Sequence, residues 1–318
     1  MAGRACALRG PRREAALTAG RPGPTQPASR EGRLRGPAYM LLGIGLFGLL
    51  DAISKLLSAD HAVWQVLLVR FATMLVGILA VRAIWPGWGG PLSTRMPGTH
   101  LLRACAMLGS ATFFFLTFSL LPLVEGYLVF FTSPFFVLGL AAMLLGERPR
   151  PAAWGWVVLG FAGVAIGLAP GLAGATGGSG MGFVWAICGT LCYSLVFVLN
   201  RSLRHEAGLA RVVLWPALLG FVVMLGPGIA TWRTPDALAL ALMIANGLIV
   251  GAATAALAEA FRHASASRLA PYGYSGLVWS VAFDLALWGH LPGWPMLVGA
   301  VIVVLACVMS ERVTGSRG

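Results

Sequence analysis

Ten long apolar stretches alternate with short polar segments along the chain. A hydrocarbon core about 30 Å thick requires roughly 20 apolar residues in each spanning helix, and every stretch approaches that length. The pattern predicts an all-α membrane protein with ten transmembrane helices, embedded in a lipid bilayer. The predicted spans are residues 38–57, 63–84, 101–121, 123–145, 152–170, 181–200, 209–230, 237–258, 268–288 and 292–310.

Composition and charge agree with this prediction. The mean hydropathy is +0.82, and only 11% of the residues are charged, which leaves no room for a sizeable soluble domain. The net charge of +12 would favour a nucleic-acid partner in a soluble protein. However, Arg233 is the only Arg in one set of alternate loops, whereas the other set and both tails are rich in Arg. The positive-inside rule therefore places both termini in the cytoplasm, in the bacterial inner membrane, with no nucleic-acid partner.

The N-terminal segment and the cysteines add two further expectations. Residues 1–36 are rich in Arg, Pro and Gly, and we interpret them as a disordered cytoplasmic tail; a translation start near Met40 is the alternative. Cys188 and Cys192 share a helix face, which would suit either packing or a metal ion. Because neither His nor a carboxylate lies nearby in the sequence, packing is favoured, and no metal or cofactor is predicted.

The chain repeats itself at a spacing of 143 residues. Phe118 then corresponds to Phe261, and Gly146 to Gly289. Five spans in each half predict a first repeat over 37–171 and a second over 180–312, with the glycine-rich stretch 171–180 as linker. Because five is an odd number, the second repeat is expected to be inverted. Inverted repeats are typical of secondary transporters, whose substrate site lies between the halves near the midplane.

Several motifs carry a family resemblance over residues 37–312. The first half contains the segment "VLLVRFATML", an "LP" turn, Ser133-Pro134 within the fourth span, and "LGE" at its end. It resembles the EamA-type repeat of the drug/metabolite transporter superfamily. The second half, with "AFRHASASRLAPYGYSGLVWSVAFDLALWGHLP", is similar to the more divergent second repeat, and has His290 where the first has Glu147. The resemblance implies ten helices, cytoplasmic termini and small-molecule transport without a bound cofactor.

Ionisable residues within the spans are candidate functional groups, because a charge in the membrane is costly and usually faces the interior of the bundle. Asp51 and Lys55 share one face of the first span, and Arg70 lies in the second. At 1.5 Å per residue, Asp51 and Arg70 lie at similar depths and could meet. Such a pair would either fix helix packing or act as a substrate-facing charge or gate, and the sequence leaves both open.

Two more carboxylates lie near span ends. Glu125 is one turn inside the fourth span, and Asp284 is about one turn from the end of the ninth. Either carboxylate could carry a proton in a partly dry cavity. The alternative, favoured at least equally for Asp284, is an acid that reaches the headgroup layer.

Aromatic residues at helical spacing predict the walls of a pocket. Tyr127, with the phenylalanines that follow it, lies on the fourth span, and Tyr272 and Trp279 lie on the ninth. Core packing is the alternative, but equivalent places in two repeats favour a pocket for a planar or cationic ligand. Pro134 and Pro271 are expected to interrupt their helices.

These observations predict a secondary transporter rather than an enzyme, driven by a proton gradient or by exchange. The principal hypothesis is export of an amino-acid-like or opine-like compound by alternating access. The alternative is uptake of a cofactor or vitamin such as riboflavin or S-adenosylmethionine, both transported by members of the resembled family. Lys55 and Asp284 are expected to act in gating or ion coupling. The expected substrate-binding residues are Asp51, Arg70, Glu125, Tyr127, Tyr272 and Trp279.

Overall fold

The computed structural model describes residues 30–144, 146, 151–172, 180–203, 208–263, 269 and 272–315. Within these residues every regular element is an α-helix. The helices are α1 (Arg30–Leu57), α2 (Val63–Ile84), α3 (Pro97–Leu120), α4 (Leu123–Phe130), α5 (Ser133–Leu144), α6 (Pro151–Leu172), α7 (Gly180–Ser202), α8 (Leu209–Ala230), α9 (Ala237–His263), α10 (Ser275–Trp288) and α11 (Trp294–Gly315).

Seven stretches of the described chain are long and apolar enough to cross a membrane. They lie in α1, α2, α3, α7, α8 and α9, and in the combined segment α4–α5. Shorter apolar stretches occupy residues 154–169, 275–288 and 294–309. The prediction of an all-α membrane protein is confirmed, whereas the count of ten spans stays a prediction.

The first helix begins earlier than expected. α1 starts at Arg30 and continues through Pro37, so residues 30–36 are helical and the predicted tail is wrong there. Hydropathy alone missed this extension because Arg33 and Arg35 are polar but form helices well. The rest of the predicted tail, residues 1–29, lies outside the described residues.

The fourth predicted span is broken in its middle. α4 ends at Phe130 and α5 begins at Ser133, immediately before Pro134, which has no amide hydrogen for a continuous helix. Two carbonyls at the break accept hydrogen bonds from other helices. The Ser194 hydroxyl donates to the Ser133 carbonyl at 3.2 Å, and the Cys307 thiol donates to the Phe131 carbonyl at 3.4 Å. The predicted interruption at Pro134 is confirmed, whereas Pro271 lies outside the described residues.

This break has a counterpart 143 residues later. Phe131 has φ −68° and ψ −4°, and Tyr274, which precedes α10, has φ −70° and ψ −9°. Their ring centroids lie 5.7 Å apart. Gly146 and Gly289, paired by the same spacing, both have φ +67°. The backbone therefore repeats locally at the spacing found in the sequence.

The pairing of helices follows the same correspondence. The 143-residue spacing matches the helices of the two halves in order: α1 with α7, α2 with α8, α3 with α9, α4–α5 with α10, and α6 with α11. Under this matching, the contact between α1 and α9 corresponds to the contact between α7 and α3, and both are present. The contacts of α2 with α9 and of α1 with α10 likewise become those of α8 with α3 and of α7 with α5. The α2–α8 and α6–α11 contacts map onto themselves. The repeat boundaries and the inverted orientation stay predictions.

Helices α2 and α8 lie side by side and run in opposite directions. The Ala210 amide at the start of α8 donates to the Gly89 carbonyl after α2, at 3.1 Å. At the other end, Gln65 accepts from the Arg233 amide at 2.9 Å and donates to its carbonyl at 2.7 Å. A helix the length of α8 spans about 33 Å. These contacts define two opposite ends of the molecule, here named the Gly89 end and the Gln65 end.

Candidate functional site

Five polar side chains from three helices form a cluster that we call the polar centre: Asp51 and Lys55 on α1, Glu125 and Tyr127 on α4, and Asp284 on α10. The Tyr127 hydroxyl donates to Asp51 Oδ2 at 2.8 Å. Lys55 Nζ lies 3.4 Å from Asp284 Oδ1. Asp51 and Lys55 therefore share one face of α1, as the sequence predicted. That face contacts α4, which ends at the break before α5, and α10, which begins after Tyr274.

Asp284 joins α10 to the start of α4. Its side chain is fully buried, and its carboxylate accepts from the Leu123 amide at 3.1 Å and from the Val124 amide at 2.9 Å. The N-cap position of α4 is Pro122, whose side chain makes no capping hydrogen bond, so Asp284 supplies the missing acceptor from another helix. The alternative in which Asp284 reaches the headgroup layer is therefore wrong.

Lys55 is surrounded by groups that stabilise a positive charge. Besides its ion pair with Asp284, its ammonium lies 4.4 Å from the centroid of the Trp288 ring. Glu125, in the first turn of α4, is buried and interacts electrostatically with Lys55. A cluster with three acidic side chains is suited to a ligand or ion that carries positive charge. Whether Glu125 carries a proton stays a prediction.

Arg70 is buried but does not pair with Asp51. Its Nε donates to Asn246 Oδ1 on α9, and its Nη2 donates to Ser54 Oγ at 2.7 Å. The charges of Asp51 and Arg70 interact across the bundle, as their depths predicted, but the two side chains form no direct ion pair. Leu50 and Ser54 lie on a face of α1 that is turned by about 100° from the face of Asp51 and Lys55. Helix α9 packs against the face of Leu50 and Ser54, where Asn246 donates to the Leu50 carbonyl.

Aromatic rings enclose the hydroxyl end of the polar centre. Tyr127 is buried, and its ring centroid lies 5.8 Å from that of Phe118 and 6.0 Å from that of Phe130. Phe130 in turn lies 4.9 Å from Tyr193 on α7. The aromatic residues predicted on the fourth span thus cluster together and belong to the hydrophobic core, in agreement with the packing alternative. Their role as the wall of a pocket stays a prediction.

The aromatic stripe expected on the ninth span does not lie in one wall. Trp279 stacks on Phe283 and packs over Gly45 of α1, where a Cβ would lie 2.9 Å from the indole. Tyr272 is half-buried, and Tyr274 contacts the ring cluster instead. The helix is interrupted at Tyr274, so residues on either side of it do not follow one helical face. The prediction of a continuous Tyr272–Trp279 stripe is therefore wrong.

Sequence reasoning missed a group of buried polar residues. Arg103, in the first turn of the third predicted span, is 1% exposed within α3. Its Nε donates to Asn200 Oδ1 at 2.7 Å, and its Nη2 donates to the Val212 carbonyl at 3.0 Å. Asn246 was overlooked as well. The available signal was an amide side chain within an apolar stretch, which needs a partner inside the bundle.

An apolar groove of about 190 Å³ lies between α2, α8 and α9. Its lining includes Thr73, Gly77, Trp88, Val213 and Gly247. None of the lining residues belongs to the polar centre. The groove therefore offers apolar surface, and the polar contacts that orient a ligand lie elsewhere.

The chain is similar to known transport proteins. Residues 180–311 match the EamA-like transporter family, which confirms the resemblance, although the match falls on the half that the sequence analysis treated as more divergent. The chain is 25% identical over 287 residues to an S-adenosylmethionine uptake transporter of Rickettsia felis, covering 89% of this chain and 96% of the relative.

Other relatives have different substrates. A riboflavin transporter of Vibrio cholerae is 26% identical over 281 residues, which are 86% of this chain and 91% of that protein. A pseudopaline exporter of Pseudomonas aeruginosa is 26% identical over 285 residues, with coverages of 84% and 92%. A solved crystal structure shares the fold, with a TM-score of 0.60 and 20% identity over 90% of this chain and 98% of its own.

Proposed function

We propose that this chain, whose residues 180–311 match the EamA-like transporter family, is a multi-pass small-molecule transporter that takes up a cofactor-like metabolite of the S-adenosylmethionine type. Such a substrate carries a permanent sulfonium charge, a planar adenine ring and an amino-acid group. The proposed cycle is secondary transport by alternating access, with the halves 37–171 and 180–312 rocking against each other across the inner membrane.

The observation that carries this proposal is the composition of the polar centre. Three acidic side chains, Asp51, Glu125 and Asp284, lie beside a wall of aromatic rings, and a single nearby lysine forms an ion pair with one of them. Aromatic faces and carboxylates together favour a cationic ligand with a flat ring. Tyr127 also lies about one turn before the break between α4 and α5, and discontinuous helices are the usual framework of a transporter binding site.

The polar centre supports distinct roles for its members. Asp51 and Tyr127 form a hydrogen-bonded pair, and we assign them to the substrate. Glu125 is assigned to proton coupling, and the Lys55–Asp284 ion pair to gating. Tyr272 and Trp279 flank the break before α10 and provide additional aromatic surface. Arg70 is held by Asn246 and Ser54, so we assign it to the framework around the site and no longer to the substrate.

The repeated architecture supports alternating access. The most extensive helix contacts are preserved when the first five spans are exchanged with the last five, as expected for two related halves around one site. Ten spans in two inverted repeats and cytoplasmic termini belong to this proposal.

The comparisons favour uptake over the export of an opine-like compound, which the sequence analysis placed first. The relatives include uptake transporters for S-adenosylmethionine in four Rickettsia species as well as the pseudopaline exporters. Export of an opine-like zwitterion is the second candidate, because its amine also suits the acidic cluster.

Counterflow in liposomes tests the proposal without reference to direction or driving force. Purified protein is reconstituted with unlabelled S-adenosylmethionine inside, and entry of labelled substrate is followed. We expect saturable counterflow that falls at least about tenfold in Asp51→Asn, because a hydrogen bond or ion contact to a charged group is lost. Asp60→Asn, which changes an exposed carboxylate at the end of the first helix, is the matched control and should behave as wild type. If opine-like amino acids show Asp51-dependent counterflow and S-adenosylmethionine does not, the assignment of S-adenosylmethionine as substrate is refuted in favour of the second candidate.

A further inference from the structure

Two arginine–asparagine contacts join the halves of the molecule at separate places, and the arginine of each is buried. The first, which we call the Arg70 junction, consists of Arg70 on α2, Asn246 on α9 and Ser54 on α1. It joins two helices of the first half to one of the second.

The second contact has the reverse composition. The Arg103 junction consists of Arg103 on α3, Asn200 on α7 and the Val212 carbonyl on α8. It joins one helix of the first half to two of the second. Each junction therefore crosses between the halves through the same trio of corresponding helices.

The two junctions share one corresponding position in the repeat. Arg103 and Asn246 are separated by 143 residues, the spacing that relates Phe131 to Tyr274. The arginine of one junction thus occupies the position of the asparagine in the other. The other two side chains do not correspond in this way, because Arg70 matches Val213 and Asn200 matches Leu57. The corresponding trios of helices are nevertheless both joined by polar contacts of an arginine.

The junctions also lie towards opposite ends of the molecule. Arg70 is less than two turns from Gln65 along α2, and so lies in the half of the molecule that faces the Gln65 end. Arg103 donates to Val212, which is two residues from Ala210 and the contact with Gly89. Val212 and Arg233 are separated by about 31 Å along the direction of α8, at 1.5 Å per residue.

From this arrangement we infer that the two junctions are reciprocal latches. The Arg70 junction holds the Gln65 end closed, the Arg103 junction holds the Gly89 end closed, and the two are released in alternation during transport. Removing the partners of a buried arginine destabilises the protein strongly, unless water replaces those partners. Opening one end admits that water, so each latch is released only where the halves separate. Both latches are closed in this structure, which is therefore an occluded state. The inference rests on alternating access in the proposed function and is independent of the substrate.

Thiol labelling of detergent-purified protein measures each opening without any substrate. The five native cysteines are replaced by alanine, and one reporter is introduced at a buried position near each end. Leu57→Cys, 4% exposed at the end of α1, reports the Gln65 end, and Leu199→Cys, 8% exposed near the end of α7, reports the Gly89 end. The probe is a water-soluble maleimide.

Two isosteric variants release the latches separately. Asn246→Leu is expected to raise the labelling rate of the Leu57→Cys reporter about tenfold and to lower that of the Leu199→Cys reporter, since loss of a hydrogen bond to a charged group shifts a two-state equilibrium by about this factor. Asn200→Leu is expected to do the opposite, and the double variant to return both rates towards wild type. Thr254→Val, which removes only a hydrogen bond within α9, is the control and should change neither rate.

A pair exchange separates latching from folding. Arg70→Asn combined with Asn246→Arg keeps the composition of the junction and should restore the wild-type labelling rates that either single change disturbs. Equal acceleration at both reporters, no change at either, or failure of the exchange to restore the rates would overturn the inference. Failure of S-adenosylmethionine counterflow with reciprocal labelling intact would refute the substrate assignment alone.

Discussion

Replacement of Asp284 by alanine tests whether the contact between α10 and α4 stabilises the fold. The variant removes both acceptors of the Leu123 and Val124 amides and leaves Lys55 without its ion partner. Loss of a helix cap costs about 1 kcal/mol, and leaving one member of a buried ion pair alone costs about 3 kcal/mol. Asp284→Ala should therefore lower the free energy of unfolding by about 4 kcal/mol.

Thermal unfolding in detergent, followed by intrinsic tryptophan fluorescence, measures this loss. At about 2 °C per kcal/mol for a chain of this size, the expected decrease in Tm is about 8 °C. Asp236→Ala is the matched control, because Asp236 caps α9 by accepting from the Ala239 amide at 2.6 Å but is exposed. It should lower Tm by only about 2 °C.

A second comparison separates the ion pair from the cap. Lys55→Met combined with Asp284→Asn removes both charges and keeps one amide acceptor, so the double variant should be more stable than Asp284→Ala. The reasoning is refuted if Asp284→Ala costs no more than Asp236→Ala, or if the double variant is the least stable of the three.

Two further predictions concern glycines, and both are measured by the same unfolding assay. Gly146→Ala and Gly289→Ala should each cost about 1 kcal/mol, because both positions have φ +67° and no atom near the added Cβ; clearly unequal costs would contradict their equivalence. Gly299→Ala should cost about 2 kcal/mol, because its Cβ would lie 2.5 Å from the Gly163 carbonyl oxygen. Gly155→Ala, at a helical position with open space around it, is the control and should raise Tm slightly, because Ala favours the helix more than Gly. A neutral Gly299→Ala would disprove the close approach of α6 and α11.

Much of the helical framework could be predicted because hydropathy and helix length respond to the same membrane thickness. The bounds 63–84 and 209–230 coincide with α2 and α8, and the interruption at Pro134 followed from the chemistry of proline. The shared face of Asp51 and Lys55 followed from helical periodicity. These features depend only on residues close in sequence.

The partners of the charged residues could not be predicted in the same way. Depth along a helix placed Asp51 and Arg70 together, but depth does not specify the direction in which each side chain projects. The partner of Arg70 is an uncharged amide 176 residues away, which no charge pattern reveals. One signal was available for Asp284, because α4 begins after Pro122 without a capping side chain, and a buried helix start requires an acceptor from elsewhere.

The contact between Phe131 and Tyr274 places two corresponding residues against each other. In a symmetric homodimer, residues on the two-fold axis meet their own copies and must be identical. Here both partners belong to one chain, so the two positions have been able to differ, as a phenylalanine facing a tyrosine. The same freedom extends to the surrounding positions, where Tyr127 and Asp284 correspond to alanines in the other half. Two related halves within one chain can therefore enclose a ligand whose two ends differ. Acidic side chains can lie beside one end of that ligand and aromatic side chains beside the other.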